Sequence, residues 1–241
     1  MIKVDFYGAS APLIIKKYKE QRRITLMKDY RSQSNDNLLA FYDAEYTSRR
    51  ELLYRIVNEF EKHNISWCVG CSFSLFLRGI VDDFHDFDVL VSNKDVETAK
   101  KIMSETIGAT LVATGGNGFC NSDDYSHWQI NNCDVDLIAG FRVETFNCSL
   151  YVPITPDIIE TLDPEYLPYK IPAICVEPLY LLYSMMEGWQ HKRRYKKLLI
   201  EEYFSNVKPN KEILKAYMET NENSSIAPWI SRRVIDFEYF Q

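Results

Sequence analysis

The stretch from Ser66 to Asn93, SWCVGCSFSLFLRGIVDDFHDFDVLVSN, decides how the chain is read, because it offers two chemistries on overlapping residues. Cys68 and Cys71 have the Cys-x-x-Cys spacing of a redox dithiol. Gly70 and Ser72, in a turn before a helix, and Asp86 and Asp88, on the strand after it, suggest instead a phosphate-holding turn beside a metal-binding strand. Gly70 lets the backbone turn tightly and approach a ligand, Ser72 offers a hydroxyl, and the first amides of the helix face an anion. Two aspartates two residues apart on a strand project the same way, with Cα atoms about 6 to 7 Å apart, so their carboxylates can share one divalent cation. Mg²⁺ takes hard oxygen ligands and is usually held by a few carboxylates plus substrate phosphates.

Upstream of this stretch, SRRELLYRIVNEFEKHN from Ser48 puts Leu52, Leu53, Ile56, Val57 and Phe60 on one stripe, which predicts an amphipathic helix. ISWCV reads as a short strand, SFSLFLRG as a brief apolar helix ended by Gly79, and HDFDVLVS as a period-two strand. NKDVETAKKIMSETIG supplies a cap, a helix and a glycine stop before the strand-like ATLVAT, and GGNGF reads as a turn. HWQI and CDVDLIAGF flank Asn131-Asn132, the signature of a two-residue hairpin, so Asp134 and Asp136 share one face of a strand. A third carboxylate, Asp136 or Asp134, would help to hold a second ion about 3.5 to 4 Å from the first, the arrangement used in phosphoryl transfer. One Asp-x-Asp is an ordinary polar strand face. Two such pairs on neighbouring hydrophobic strands form a repulsive cluster that calls for a cation.

The 241 residues suffice for a large core, and their balance, 46% hydrophobic and 26% charged, is that of a globular protein. No apolar run approaches the roughly 20 residues of a membrane helix, and the N-terminal stretch lacks a signal-peptide core, so a cytoplasmic protein without membrane contact is expected. The net charge of −6 argues against coating extended nucleic acid and favours a small or cationic substrate. The six cysteines read as reduced thiols. Residues 1–45 form an N-terminal extension without clean periodicity, 46–163 the catalytic domain, and 164–241 a mainly helical C-terminal domain. The fold class expected is α/β: a mixed sheet with flanking helices, then helices alone.

Gly70-Cys71-Ser72, Asp86-Phe87-Asp88 and Val135-Asp136-Leu137 resemble, in order, the three signatures of the DNA polymerase β-like nucleotidyltransferase superfamily. LFLRGI and DFDVLV are similar to the small bacterial aminoglycoside and lincosamide nucleotidyltransferases. The resemblance implies a short mixed sheet with a helical domain, and transfer of a nucleoside monophosphate from a Mg²⁺-bound nucleoside triphosphate, with ATP expected, to a hydroxyl acceptor with release of pyrophosphate. It implies that Asp86 and Asp88 bind two Mg²⁺ ions, that Asp136 binds the catalytic ion and helps deprotonate the acceptor, and that Gly70 and Ser72 hold phosphates. It further implies that a basic residue of the helical domain, Lys192, Arg193 or Lys196 in the run HKRRYKK, reaches the triphosphate. The chain departs from the family pattern at Gly70-Cys71, where Gly-Gly or Gly-Ser is usual and the serine here comes one place late, and at His85, where Ser or Thr is common.

Two competing functions follow from the same residues: an inactive nucleotide-binding or regulatory protein of this fold, and a dithiol oxidoreductase using Cys68 and Cys71. The dithiol leaves both Asp-x-Asp strands without a role. Arg78 reads either as a phosphate contact or as an exposed helix-end residue. His85 and His127 border the site and read as surface or hydrogen-bonded structural residues. Tyr180, Tyr183, Met185, Met186 and Trp189 read as helix core, with an acceptor pocket as the other reading.

Overall fold

The computed structural model describes residues 30–43, 46–115, 121–145, 148–164, 167–186 and 191–220, and leaves aside the side chains of 31, 32, 145, 148, 191–194 and 218–220. Most of GGNGF and the side chains of Trp189, Lys192 and Arg193 therefore lie outside the described residues. The alternating apolar segments become strands β1 (Trp67–Val69), β2 (Phe87–Val91), β3 (Thr110–Thr114), β4 (Asp124–Ile130) and β5 (Cys133–Ala139), followed by β6 (Phe141–Thr145), β7 (Cys148–Val152), β8 (Ile159–Leu162) and β9 (Ile171–Ile174). Seven of them form one mixed sheet in the order β3-β4-β5-β2-β1-β9-β8, while β6 and β7 pair as a separate ribbon. In the sheet, β2 runs parallel to β5 and β1 parallel to β9, and the remaining neighbours are antiparallel.

The helices are α1 (Tyr30–Phe41), α2 (Thr47–Lys62), α3 (Cys71–Leu77), α4 (Val96–Lys101, continued by a π-helical turn to Ile107), α5 (Val176–Met185), α6 (His191–Asn206) and α7 (Lys211–Thr220). The stripe predicted for α2 is the one it buries: Leu52, Leu53, Ile56, Val57 and Phe60. Phe60 meets Trp67 of β1 edge to face at 5.4 Å, which places α2 over the sheet face carrying Phe87, Val89 and Val91. The opposite face carries Cys68 and Asp88, with Tyr217 of α7 and Tyr183 of α5 as their respective electrostatic neighbours. The hairpin expected at Asn131-Asn132 is present, with φ of +48° and +60° as a type I′ turn requires.

Two boundaries drawn from sequence fall inside packed structure. Strand β9 lies beside β1, so the sheet continues past Asp163; from Val176 onward the described residues are helical apart from their connections. Residues 30–41, expected as part of an extension, form a helix whose Leu38 and Phe41 enter the core. Helix α1 also satisfies backbone carbonyls at the end of α3: Asn37 Nδ2 donates to Phe76 O at 2.8 Å and Val81 O at 2.9 Å, and Ser34 Oγ to Leu77 O at 2.6 Å. Gly79, at φ +68°, permits this approach, since a Cβ there would stand 2.6 Å from Ser34 N and 2.7 Å from Tyr30 O. No helix among the described residues is long and apolar enough to cross a membrane.

Candidate active site

The centre of the sheet brings the aspartates together. Asp88 of β2 is the register partner of Asp136 on β5, and adjacent strands are about 4.8 Å apart. Asp86 stands two residues before Asp88, just ahead of the strand. Burial comes first in raising Asp88, which is pushed up to about 8, and the like charges of Asp86 and Asp136 add to the effect. Asp86 is raised too, by burial and then by Asp136. Lys196 opposes both shifts, and Cys71 eases that of Asp88 through a hydrogen bond. Asp134 contributes to neither; it lies opposite Gln129, whose Nε2 donates to it at 3.1 Å. Asp136 is therefore the third member of the cluster.

The turn after β1 borders these acids, with Gly70 N donating to Asp88 O at 2.8 Å. Gly70 itself is extended (φ −113°), so its value is not in the turning expected of it; a Cβ there would press on the Leu90 side chain at 3.2 Å. The left-handed residue is Cys71, at φ +41°, the position at which the resembled family carries Gly or Ser. A non-glycine residue there stores on the order of 1 kcal/mol. Ser72 follows, buried, and its hydroxyl accepts a hydrogen bond from Lys196 Nζ of α6. Lys196 also lies 5.4 Å from the ring centre of Tyr183, a fully buried tyrosine raised well above its ordinary range by burial and then by Cys71 and Asp88. Among the described side chains of the basic run, that of Lys196 reaches the turn. Lys192 and Arg193 occupy backbone positions one helical turn earlier.

Other sequence candidates fall elsewhere. Arg78 is neither exposed nor turned to the acids: it is buried, donating to Ser74 O at 2.9 Å, Ser74 Oγ at 2.6 Å and Glu160 Oε2 at 2.7 Å. Cys68 lies inside β1, where burial pushes its thiol far above the usual range, the reverse of what a redox nucleophile needs. Tyr180, Met185 and Met186 are core. His85 is exposed and its ring stands 3.9 Å from Asp83. His127 is nearer the chemistry than expected, with Nδ1 2.7 Å from Asp136 Oδ1. Arg49, not singled out in the sequence, holds the approach to Asp86 by donating to Phe84 O at 3.3 Å and His85 O at 3.1 Å, while stacking on Tyr46 and Phe84. A cavity of about 630 Å³ lined by Pro153, Asp157, Ile158, Asn210, Ile213 and Tyr217 shares no residue with the acids.

The donor set suits a hard divalent cation: three carboxylates, all oxygen, whose mutual repulsion Lys196 only partly offsets. No three His, Cys, Asp or Glu side chains among the described residues are already drawn into a metal cage. The fit is thus one of chemistry and strand placement.

No family model matches the chain. No curated protein matches it in sequence either. Solved structures do, and the fold they share with it is that of the nucleotidyltransferases. The solution structure of the antibiotic-resistance factor ANT(2″)-Ia superposes with a TM-score of 0.50 at 12% identity, covering 80% of this chain and 96% of that one. A crystal structure of ANT(2″)-Ia in complex with adenylyl-2″-tobramycin gives 0.49 at 12% identity, covering 73% and 98%. The lincomycin-bound lincosamide adenylyltransferase LnuA gives 0.42 at 11% identity, covering 63% and 95%.

Proposed function

We propose that the protein is a metal-dependent nucleotidyltransferase that moves a nucleoside monophosphate from a nucleoside triphosphate to the hydroxyl of a small-molecule acceptor. The acceptor oxygen would bond to the α-phosphorus as the bond from that phosphorus to the β-phosphate oxygen breaks, releasing pyrophosphate. Asp86, Asp88 and Asp136 would hold Mg²⁺, which when bound would supply charge neutralisation along the triphosphate. Lys196 and Ser72 would grip a phosphate oxygen, with Lys192 and Arg193 of the same helix as further cationic contacts. Gly70 would keep the phosphate-binding turn close to β2, its N–H bound to Asp88 O and its missing Cβ leaving space for Leu90. Catalysis would come from positioning and fixed charge. The observation that carries this reading is the pairing of Asp88 with Asp136 across β2 and β5, beside a turn whose serine is already bound to a lysine.

A cationic acceptor is favoured by the acids on the same approach, exposed Asp82 and Asp83 and half-exposed Asp134. The fold shared with an antibiotic-resistance factor favours an antibiotic-like small molecule as acceptor, and ATP is the nucleotide implied by the sequence resemblance. The test is calorimetry of each nucleoside triphosphate with Mg²⁺, followed by pyrophosphate release in the presence of aminoglycosides, lincosamides and other polyhydroxylated compounds. Magnesium-dependent binding and release that both vanish in Asp136→Ala are expected. Absence of magnesium-dependent triphosphate binding would overturn the proposal, and binding without release across the panel would favour the regulatory reading.

A further inference from the structure

Antiparallel β4 lies against β5 with His127 directly opposite Asp136, and Tyr125 one diagonal step away on the same face. Both side chains end on one atom. Asp136 Oδ1 accepts from Tyr125 Oη at 3.0 Å and lies 2.7 Å from His127 Nδ1, a contact that is a hydrogen bond in the tautomer carrying its hydrogen on Nδ1. The far side of the imidazole lies near a second carboxylate, with Nε2 3.4 Å from Asp134 Oδ1. The cluster is partly buried, with His127 and Asp136 side chains 26% and 18% exposed.

We infer that His127 and Tyr125 are positioning residues that lock the rotamer of Asp136 through Oδ1 and leave Oδ2 as the oxygen available to a divalent cation. Carboxylates that bind metals depend on such outer hydrogen bonds, whose loss costs about 10- to 100-fold in metal affinity or activity. The inference rests on the nucleotidyl-transfer reading and deepens it: the strand beside the acids supplies the aim of the third one.

The experiment is Mn²⁺ binding in the presence of a non-hydrolysable triphosphate, measured by calorimetry on the full chain without acceptor, for wild type, His127→Ala, His127→Asn, Tyr125→Phe and Asp136→Ala. His127→Ala is expected to weaken Mn²⁺ about 10- to 100-fold, His127→Asn to recover part of that through its amide donor, and Tyr125→Phe to lose several-fold. Tyr125→Phe removes a single oxygen, so it reports even where His127→Ala melts early. Wild-type Mn²⁺ affinity in both His127→Ala and Tyr125→Phe would overturn the positioning role while leaving nucleotidyl transfer standing. Failure of the wild type to bind Mn²⁺ with the triphosphate would overturn both.

Discussion

Arg78 is a buried charge and Asp88 a half-buried one, and the protein treats them differently. Arg78 is answered from within: Ser74 and Glu160 take up its guanidinium, and Ser74 Oγ goes on to Ile174 O at 3.1 Å. Asp88 has like charges for neighbours, Asp86 and Asp136, with Lys196 as the opposing cation. A buried charge supplied with its counter-charge and hydrogen bonds is part of the architecture. A half-buried cluster of one sign is repulsive, and a bound cation would relieve it.

The comparison is tested most severely by Asp88→Asn. Magnesium-dependent turnover should fall by about 10²- to 10³-fold or more, the scale of removing a preorganised electrostatic group, measured by pyrophosphate release. In chelator the same variant should be more stable. The pKa of Asp88 is raised from its ordinary 3.8 to about 8, so the folded state binds more protons than the unfolded one between those values. Its contribution to stability is therefore fully present below about pH 4 and is lost as pH rises towards 8. Asp88→Asn removes that loss, and thermal melts at pH 7 to 8 should rise by at least about 2–4 °C, with the gain shrinking as pH falls. A melting temperature that drops instead would break the contrast with Arg78.

Lys196→Met should weaken triphosphate binding by about 10-fold or more, since it removes a charge-assisted contact, and calorimetry reads this directly. Arg78→Met should do the opposite kind of damage. It would cost about 1–3 kcal/mol in denaturant midpoints by stranding Ser74, with little from the half-exposed Glu160, and leave the magnesium dependence of triphosphate binding unchanged. The smallest effect is expected of Cys71→Gly. Relief of the left-handed backbone offsets the added chain entropy, so stability should stay within about 1 kcal/mol, and triphosphate binding should persist. Loss of all activity in that variant would revive the dithiol reading.

The strands bearing the acids were legible because period-two alternation and a two-residue turn are local signals. Asn131-Asn132 even contains the register, since a turn of that length puts His127 opposite Asp136. His127, which in the sequence reads as a surface or hydrogen-bonded structural residue bordering the site, is hydrogen-bonded to that aspartate. Lys196 could be narrowed to a basic run, but which member reaches Ser72 depends on how α6 packs against the sheet, a tertiary matter. Arg78 was misplaced for a similar reason: its partner Glu160 is 82 residues away in sequence. The tight turning expected of Gly70 falls instead to Cys71, whose positive φ is set by the packing around both residues and not by residue type alone. Helix α1 had no stripe to reveal it; its anchoring is done by the polar Ser34 and Asn37, which hydropathy patterns score as surface.

The way α1 is fastened bears on how the acids are delivered. Phe41 is packed among Phe73, Phe76 and Phe84, and Asn37 pins Val81, so the loop that carries the chain to Asp86 is clamped from a segment more than forty residues earlier. Progressive trimming from the N-terminus should thus silence the protein as soon as the first helix is cut into, well before any ligand-bearing strand is touched. A shortened chain that keeps this clamp should begin no later than Tyr30.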